Sequence, residues 1–434
     1  MNIRKLAFNM LCRAEEDDTF VNLMLNGSVA VSADEKRFLT ALLYGVTERR
    51  ITLDYYISTL AKRPKEQIDP YTRNILRLGL YQLMYMDKIP PFAAVDECVK
   101  LARNKGEGAF VNACLRSYER EKDSLAPPPR EKNLARHLSV AYSFPVPTVK
   151  LFLSQYGEEE TEKLLSAFCR IAPLSLRVND KLVTRERLLA EMKERGIEAE
   201  ASEYADNGIV VHTSVPPSSV CGYEQGLFFV QDIASQICAK ALSPERKNVI
   251  IDMCACPGGK SFSAALEAKD DCRVFSFDIS ESKISLIDSG AKRLRLTSVR
   301  AQAHDSCQII ESFLGRADRV ICDVPCSGLG VLGKKPDLRY RETDFDRLIP
   351  LQYKLLCTGA QYLSQDGVLV YSTCTLKREE NEGNIERFLS EHPDFCTEDF
   401  EVGPLRSQNG TLTLYPHIHG TDGFFVARIV RKKG

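Results

Sequence analysis

The sequence predicts a multidomain chain: an all-α N-terminal domain, a small α+β domain, and a C-terminal α/β domain on a mostly parallel, doubly wound sheet. Three observations carry this expectation. At 434 residues the chain exceeds one ordinary core, and a prior of about 150 residues per domain asks for two or three. Residues 1–120 set apolar side chains at helical spacings. From residue 231 onward, short apolar runs alternate with helical stretches, as successive βα units do. The expected bounds are 1–125 for the helical domain, 126–138 for a linker, 139–230 for the α+β domain and 231–434 for the α/β domain.

In the first domain the spacings of three, four and seven run through Leu6, Met10 and Leu11, then Phe38, Leu42 and Leu43, then Ile75, Leu78, Leu83 and Met84. Ser32-Ala33-Asp34-Glu35 fits a capping box, and Pro90-Pro91 closes the run that starts at Tyr71. Ala126-Pro127-Pro128-Pro129 denies the backbone helical hydrogen bonds and marks the linker. The second domain mixes helices (148–156, 159–168, 184–195) with strands (174–178, 208–212, 227–230). Arg177 and Asn179 flank one strand and read as a surface strand end, with RNA contact as the alternative. In the third domain the expected strands are 249–252, 273–277, 299–303, 319–322 and 367–371. The segments 411–414 and 423–430 read as a strand pair without an intervening helix, hence an antiparallel edge.

A content of 44% hydrophobic and 27% charged residues is that of an ordinary soluble protein. No apolar run reaches the roughly 18 residues of a membrane span, and the N-terminal stretch lacks a signal peptide's apolar core, so no membrane association and a cytoplasmic location are expected. The 15 cysteines are scattered and include no Cys-x-x-Cys pair, which points to free thiols. His417 and His419 lack further ligands, so no metal is expected. A net charge of −1 gives no electrostatic footprint for nucleic acid. The clusters Lys292, Arg293, Arg295, Arg300 and Lys334, Lys335, Arg339, Arg341 read as solvated faces. A monomer is expected.

Open α/β sheets bind ligands past the carboxyl ends of their strands. After the first strand come Cys254, Ala255, Cys256, Pro257, Gly258, Gly259 and Lys260; after the next ones come Asp278, Asp305, Asp323 and Cys374. Asp278 lies where an acid can accept from both hydroxyls of a ribose. The loop lacks Gly-x-Gly-x-x-Gly. Gly259-Lys260-Ser261 matches the end of a P-loop, with Asp323 in the place of its magnesium-binding Asp, so a P-loop NTPase is one alternative. Its first glycine would be Cys254, however, and Pro257 removes an N–H from a loop that should donate to phosphates. An adenosine ligand without a polyphosphate then fits, and S-adenosylmethionine is the natural candidate: Asp278 to the ribose, Asp305 near the adenine, the loop around the methionine part.

Asp323-Val324-Pro325-Cys326-Ser327-Gly328 and Ser372-Thr373-Cys374-Thr375 each put a cysteine just past a strand, and those strands are neighbours in this topology. The two thiols should converge beside the cofactor loop, whereas Cys238, Cys272 and Cys322 read as inert buried thiols. A thiolate adding to carbon 6 of a pyrimidine makes carbon 5 nucleophilic enough to accept a methyl group. A free cysteine has a pKa of about 8.5, so the site must lower it or supply a base. Asp323 would contact ring N3, and spacing does not decide which thiol attacks.

Together, Asp252-x-Cys254-Ala255-x-Pro257-Gly258-Gly259-Lys260, Asp323-x-Pro325-Cys326-Ser327-Gly328, Lys335-Pro336-Asp337, Ser372-Thr373-Cys374-Thr375 and Asp422-Gly423-Phe424-Phe425 resemble the RNA cytosine-5 methyltransferases of the Sun (Fmu) family. Phe229-Val230-Gln231-Asp232 also fits. Ile89 to Ala102, closed by Phe110 to Arg116, resembles the RNA-binding antitermination factor NusB, a combination that picks out the bacterial enzymes acting on 16S ribosomal RNA. The resemblance implies a NusB-like N-terminal domain, an RNA-recognising middle domain and a Rossmann-like class I methyltransferase domain. It also implies Cys374 as nucleophile, Cys326 assisting product release, and Cys254 to Lys260, Asp278, Asp305 and Asp323 around S-adenosylmethionine. Cys256 and Val324 stand where the family usually has Ala. The alternative from another class is an RNA-binding assembly factor whose α/β domain is non-catalytic.

Overall fold

The computed structural model describes residues 2–17, 24–25, 31–213 and 216–433. The chain forms two compact units, one of residues 1–170 with 332–341, the other of 171–331 with 342–434.

The first unit is helical, and its helices start where side chains can cap them. Asn2, Ser32, Asp69, Asn104 and Asn133 each accept a hydrogen bond from a backbone N–H of the first turn of Ile3–Glu16, Ala33–Glu48, Pro70–Tyr85, Lys105–Glu121 and Leu134–Tyr142. The Ser32/Glu35 capping box is present in both directions. Pro90-Pro91 does not end the preceding helix, which stops at Tyr85; it opens the next, Pro91–Val99, where a proline's missing N–H is harmless. The expected linker also ends early, because Asn133 caps a helix from Leu134. The expected helices 148–156 and 159–168 are one element, Val146–Phe168, kinked at Gly157.

Phe8, Leu39, Leu42, Leu43, Ile75, Leu78 and Val111 fill this unit's core. Inside it, Arg77 makes a two-pronged ion pair with Asp54, at 2.6 and 2.8 Å, both side chains being about 5% exposed. Arg339 corrects an expectation. Its guanidinium is wholly buried, lies over the Phe144 ring and donates to the main-chain oxygens of Leu332, Glu48 and Phe168. Five fixed N–H donors can satisfy several orphan carbonyls at once, which is why a buried arginine serves here rather than a solvated one.

In the second unit, strands β1 (Leu174–Val178), β2 (Ala199–Ala201), β3 (Gly208–Val211) and β4 (Phe228–Val230) form an antiparallel sheet in the order β2-β3-β1-β4. Helix Arg185–Glu194, capped by Thr184, buries Leu188 and Met192 against Leu176, Val178, Ile209 and Phe228. Arg177 and Asn179 are buried, not at the surface. Arg177 pairs with Asp180 and Glu267, and the Asn179 amide donates to the carbonyls of Gly226 and Leu294. They bind the small sheet to the domain that follows. Arg293 does the same from the other side, donating to the carbonyls of Tyr223 and Phe228.

That domain holds β5 (Val249–Asp252), β6 (Arg273–Asp278), β7 (Val299–Ala303), β8 (Ala317–Asp323), β9 (Leu363–Thr373), β10 (Phe395–Thr397), a small hairpin of β11 (Glu401–Val402) and β12 (Leu405–Arg406), then β13 (Thr411–Leu414) and β14 (Phe424–Arg431). The main sheet runs β10-β14-β9-β8-β5-β6-β7, parallel from β9 to β7. Strand β14 is antiparallel and is not the edge: β9 lies on one side, β10 and β13 on the other. A short helical turn, Pro416–His419, separates β13 from β14, and His419 accepts from the Tyr415 N–H there. Among the described residues no group of three potential ligands surrounds a metal position, and no helix is long and apolar enough to cross a membrane.

Candidate active site

Strand β5 is fully apolar up to Asp252, and the chain then turns through Cys254 to Gly258 into helix Gly259–Glu267. Gly258 has φ +106°, and a Cβ there would lie 2.3 Å from the Phe262 ring, so only glycine makes this turn. The loop lines a cavity of about 180 Å³ with Gln231, Ser235, Asp252, Lys260 and Asp323.

Lys260 reaches across this cavity to Asp323, at 2.7 Å, and to the Ser235 hydroxyl. Burial alone would depress the Lys260 ammonium, but Asp323 more than offsets it and the net effect is upward. The other Asp323 oxygen accepts from Ser372 at 2.7 Å. Both Asp323 oxygens are therefore engaged by the protein, and Lys260 acts as a fixed ion-pair partner rather than a free phosphate-seeking cation.

Two buried polar atoms beside the cavity have no partner. Asp252 accepts from Ser261 with one oxygen, leaving Oδ1 unpaired, and Gln231 accepts from Ser263 through Oε1, leaving its Nε2 unpaired close to Gly259. Burial pushes the Asp252 carboxyl up to about 7, with Asp323 adding to the effect. Unpaired buried polar atoms are expensive unless something completes them. An amino acid does: its ammonium suits Asp252 and its carboxylate suits the Gln231 amide. The methionine part of S-adenosylmethionine has this donor set. Asp278, at the end of β6, accepts from the N–H groups of Cys256 and Ser280, so it helps shape the loop. Asp305 does not line the cavity. It accepts from the N–H of Cys307, while the next residue, Ser306, ties the segment to the Met253 carbonyl.

The two strand-end cysteines do converge. Because β8 and β9 are parallel neighbours, the loops that follow them lie side by side, and the sulfurs of Cys326 and Cys374 are 3.2 Å apart. The hydrogen bond to Cys374, then burial, then the charges of Cys374 and Glu380 push the Cys326 thiol well up. Cys238 and Cys322 are buried and raised as well, Cys238 to about 12, as inert thiols are, while Cys254 and Cys272 are only half-buried, though also raised by burial. Gly330 holds the arrangement closed: its N–H donates to the Cys374 carbonyl, and a Cβ on it would overlap the Gly423 oxygen.

Around these loops lies a buried polar cage that the sequence reading missed. The Glu380 carboxylate accepts from the N–H and hydroxyl of Ser327, from the Thr375 hydroxyl and from the Gln352 amide. Gln352 also donates to Pro325, and Asn384 donates to Gln352, to the Tyr371 hydroxyl and to the Glu380 carbonyl. Within Lys377-Arg378-Glu379-Glu380-Asn381 a glutamate resembles a solvated charge. Its position six residues past Cys374 was the only signal.

Residues 239–430 match the 16S rRNA methyltransferase RsmB/F family, 1–120 the NusB family, and 145–217 the ferredoxin-like domain of RsmF/B-like methyltransferases. A probable ribosomal RNA small subunit methyltransferase B of Bacillus subtilis is 35% identical across 100% of this chain and 99% of its own length. The chain belongs to the RsmB/F family. A Synechocystis relative, also a probable ribosomal RNA small subunit methyltransferase B, is 35% identical over 99% of both chains. The crystal structure of PH0851 has the same fold over 99% of both chains, with a TM-score of 0.82 at 24% identity. Within that family, residues 1–120 are the NusB domain, 145–217 the ferredoxin-like domain and 239–430 the methyltransferase domain.

Proposed function

We propose that this RsmB/F protein methylates carbon 5 of a cytosine in small-subunit ribosomal RNA through a covalent cysteine adduct. The observation that carries the proposal is the pair of thiols 3.2 Å apart, past adjacent strands, on the same sheet edge as the Asp323–Lys260 pair. S-adenosylmethionine would supply an electrophilic methyl group when bound, with Asp252 and Gln231 holding its methionine end and Asp278 its ribose; Asp305, which does not line the cavity, is assigned to the adenine on the family resemblance alone.

The Cys374 thiolate adds to carbon 6 of the flipped-out cytosine, forming a carbon–sulfur bond and placing the electron pair on carbon 5. A proton taken up at ring N3, held there by a hydrogen bond to Asp323, balances the negative charge that develops as the thiolate adds, and Lys260 and Ser372 hold Asp323 in place for this contact. Carbon 5 then takes the methyl group. Loss of the carbon 5 proton to a base expels Cys374 and restores the ring. Cys326 suits that last step because of its hydrogen bond to Cys374. While Cys374 is free, its hydrogen bond and charge keep the proton on Cys326. Once Cys374 is a neutral thioether that opposition is gone, and Cys326 can accept a proton.

The test is product analysis. Incubation with small-subunit RNA and methyl-labelled S-adenosylmethionine, followed by digestion to nucleosides, should place the label in 5-methylcytidine. Label in any other nucleoside would overturn the proposal.

A further inference from the structure

The two thiol loops share one buried acid that the reaction above leaves unused. Glu380 is fully buried, and among the described residues no lysine or arginine pairs with it. A carboxylate without a cation is expensive to bury, so its four donors and its location call for an explanation. Two of the donors are on Ser327, the residue after Cys326, at 2.9 and 2.5 Å, and one is on Thr375, the residue after Cys374, at 3.3 Å. The fourth, the Gln352 amide at 2.8 Å, also holds the carbonyl of Pro325, the residue before Cys326. The Ser327 and Thr375 hydroxyls are themselves 2.7 Å apart. Every contact of this carboxylate therefore leads to a residue flanking a thiol, or to the side chain bracing one.

We propose that Glu380 is a positioning residue for the thiol pair: its carboxylate clamps the Cys326 and Cys374 loops together and so assigns the attack to Cys374. This rests on the covalent reading. The clamp fixes the separation of the sulfurs, and the negative charge on the Cys326 side opposes ionisation of that thiol. The other titratable group facing Glu380 is the buried Tyr371, whose hydroxyl donates to the Glu380 main-chain oxygen. A glutamine cannot replace the acid, because its amide would turn a donor toward Ser327 or Gln352.

The experiment compares the full-length chain with Glu380→Gln and Thr375→Val. Calorimetry with S-adenosylmethionine reports folding of the cofactor side. Iodoacetamide alkylation from pH 6.5 to 10.5 (roughly two units either side of a free thiol's pKa), mapped by mass spectrometry, reports each thiol. The rate of RNA adduct formation in a Cys326→Ala background reports the clamp. Glu380→Gln should bind the cofactor within about threefold of wild type, lower the midpoint for Cys326 alkylation by about one pH unit, and slow adduct formation at least about tenfold. Thr375→Val should slow adduct formation less. Unchanged alkylation and adduct rates in a Glu380→Gln protein that binds the cofactor would overturn the proposal. If Glu380→Gln does not fold, Thr375→Val decides: an unchanged adduct rate overturns the clamp. Absence of any adduct with Glu380 intact would instead sink the covalent reading, and the alkylation midpoints would still show whether Glu380 controls Cys326.

Discussion

Two buried acids, one on each side of the crevice, are treated oppositely by the fold. Asp252, at the end of β5, has one hydroxyl donor and an oxygen with no partner. Glu380, beyond β9, has four donors. Equal burial therefore does not mean equal function. The incomplete acid stands where a cationic ligand group would complete it, and the completed acid holds other residues in place.

The largest expected effect is outside both acids and defines what they serve. Cys374→Ala should reduce methylation by at least about 10³-fold with cofactor affinity unchanged, as single-turnover assays and calorimetry would show. The next separates the two acids. Glu380→Leu should destabilise the domain by about 3–5 kcal/mol in denaturant titration, because four donors lose their acceptor. Asp252→Asn should leave stability near wild type and weaken cofactor binding roughly tenfold or more. The reverse ranking would break the comparison.

A pH dependence follows from the Asp252 carboxyl at about 7, against an ordinary value of 3.8. A raised folded-state value favours the protonated form, so this group's stabilising contribution is complete below about pH 3.8 and is lost as pH rises through about 7. Cofactor-free protein should thus lose thermal stability from about pH 4 to about pH 7 and level off above that, and Asp252→Asn should flatten the loss. Cofactor affinity should move the other way, rising over the same range, since an ammonium group needs the ionised acid. The smallest effect is expected from Ser261→Ala, which removes the hydroxyl donor of Asp252 and should change cofactor affinity by only a few-fold, about 1 kcal/mol.

Strands with strong local signatures were legible: β1, β5 and β13 have the bounds their patterns suggest, and the weaker β7 does too. The convergence of Cys326 and Cys374 was legible too, because parallel neighbours must present their following loops together. Buried polar residues were not. Arg177, Asn179 and Arg339 look like surface residues in sequence, yet each satisfies main-chain carbonyls that only the tertiary fold creates. Gln352 and Glu380 are hidden for the same reason, since their partners are 25 or more residues away in several of their contacts. Strands as short as β2 and β10, at three residues each, carry too little periodicity to find.

The most direct measurement of the central claim is denaturing gel electrophoresis of each cysteine variant after incubation with S-adenosylmethionine and small-subunit RNA. Cys326→Ala should accumulate a protein–RNA adduct whose mapped cross-link is at Cys374, and Cys374→Ala should form none. An adduct in Cys374→Ala alone would exchange the two roles, and no adduct in either variant would contradict covalent catalysis.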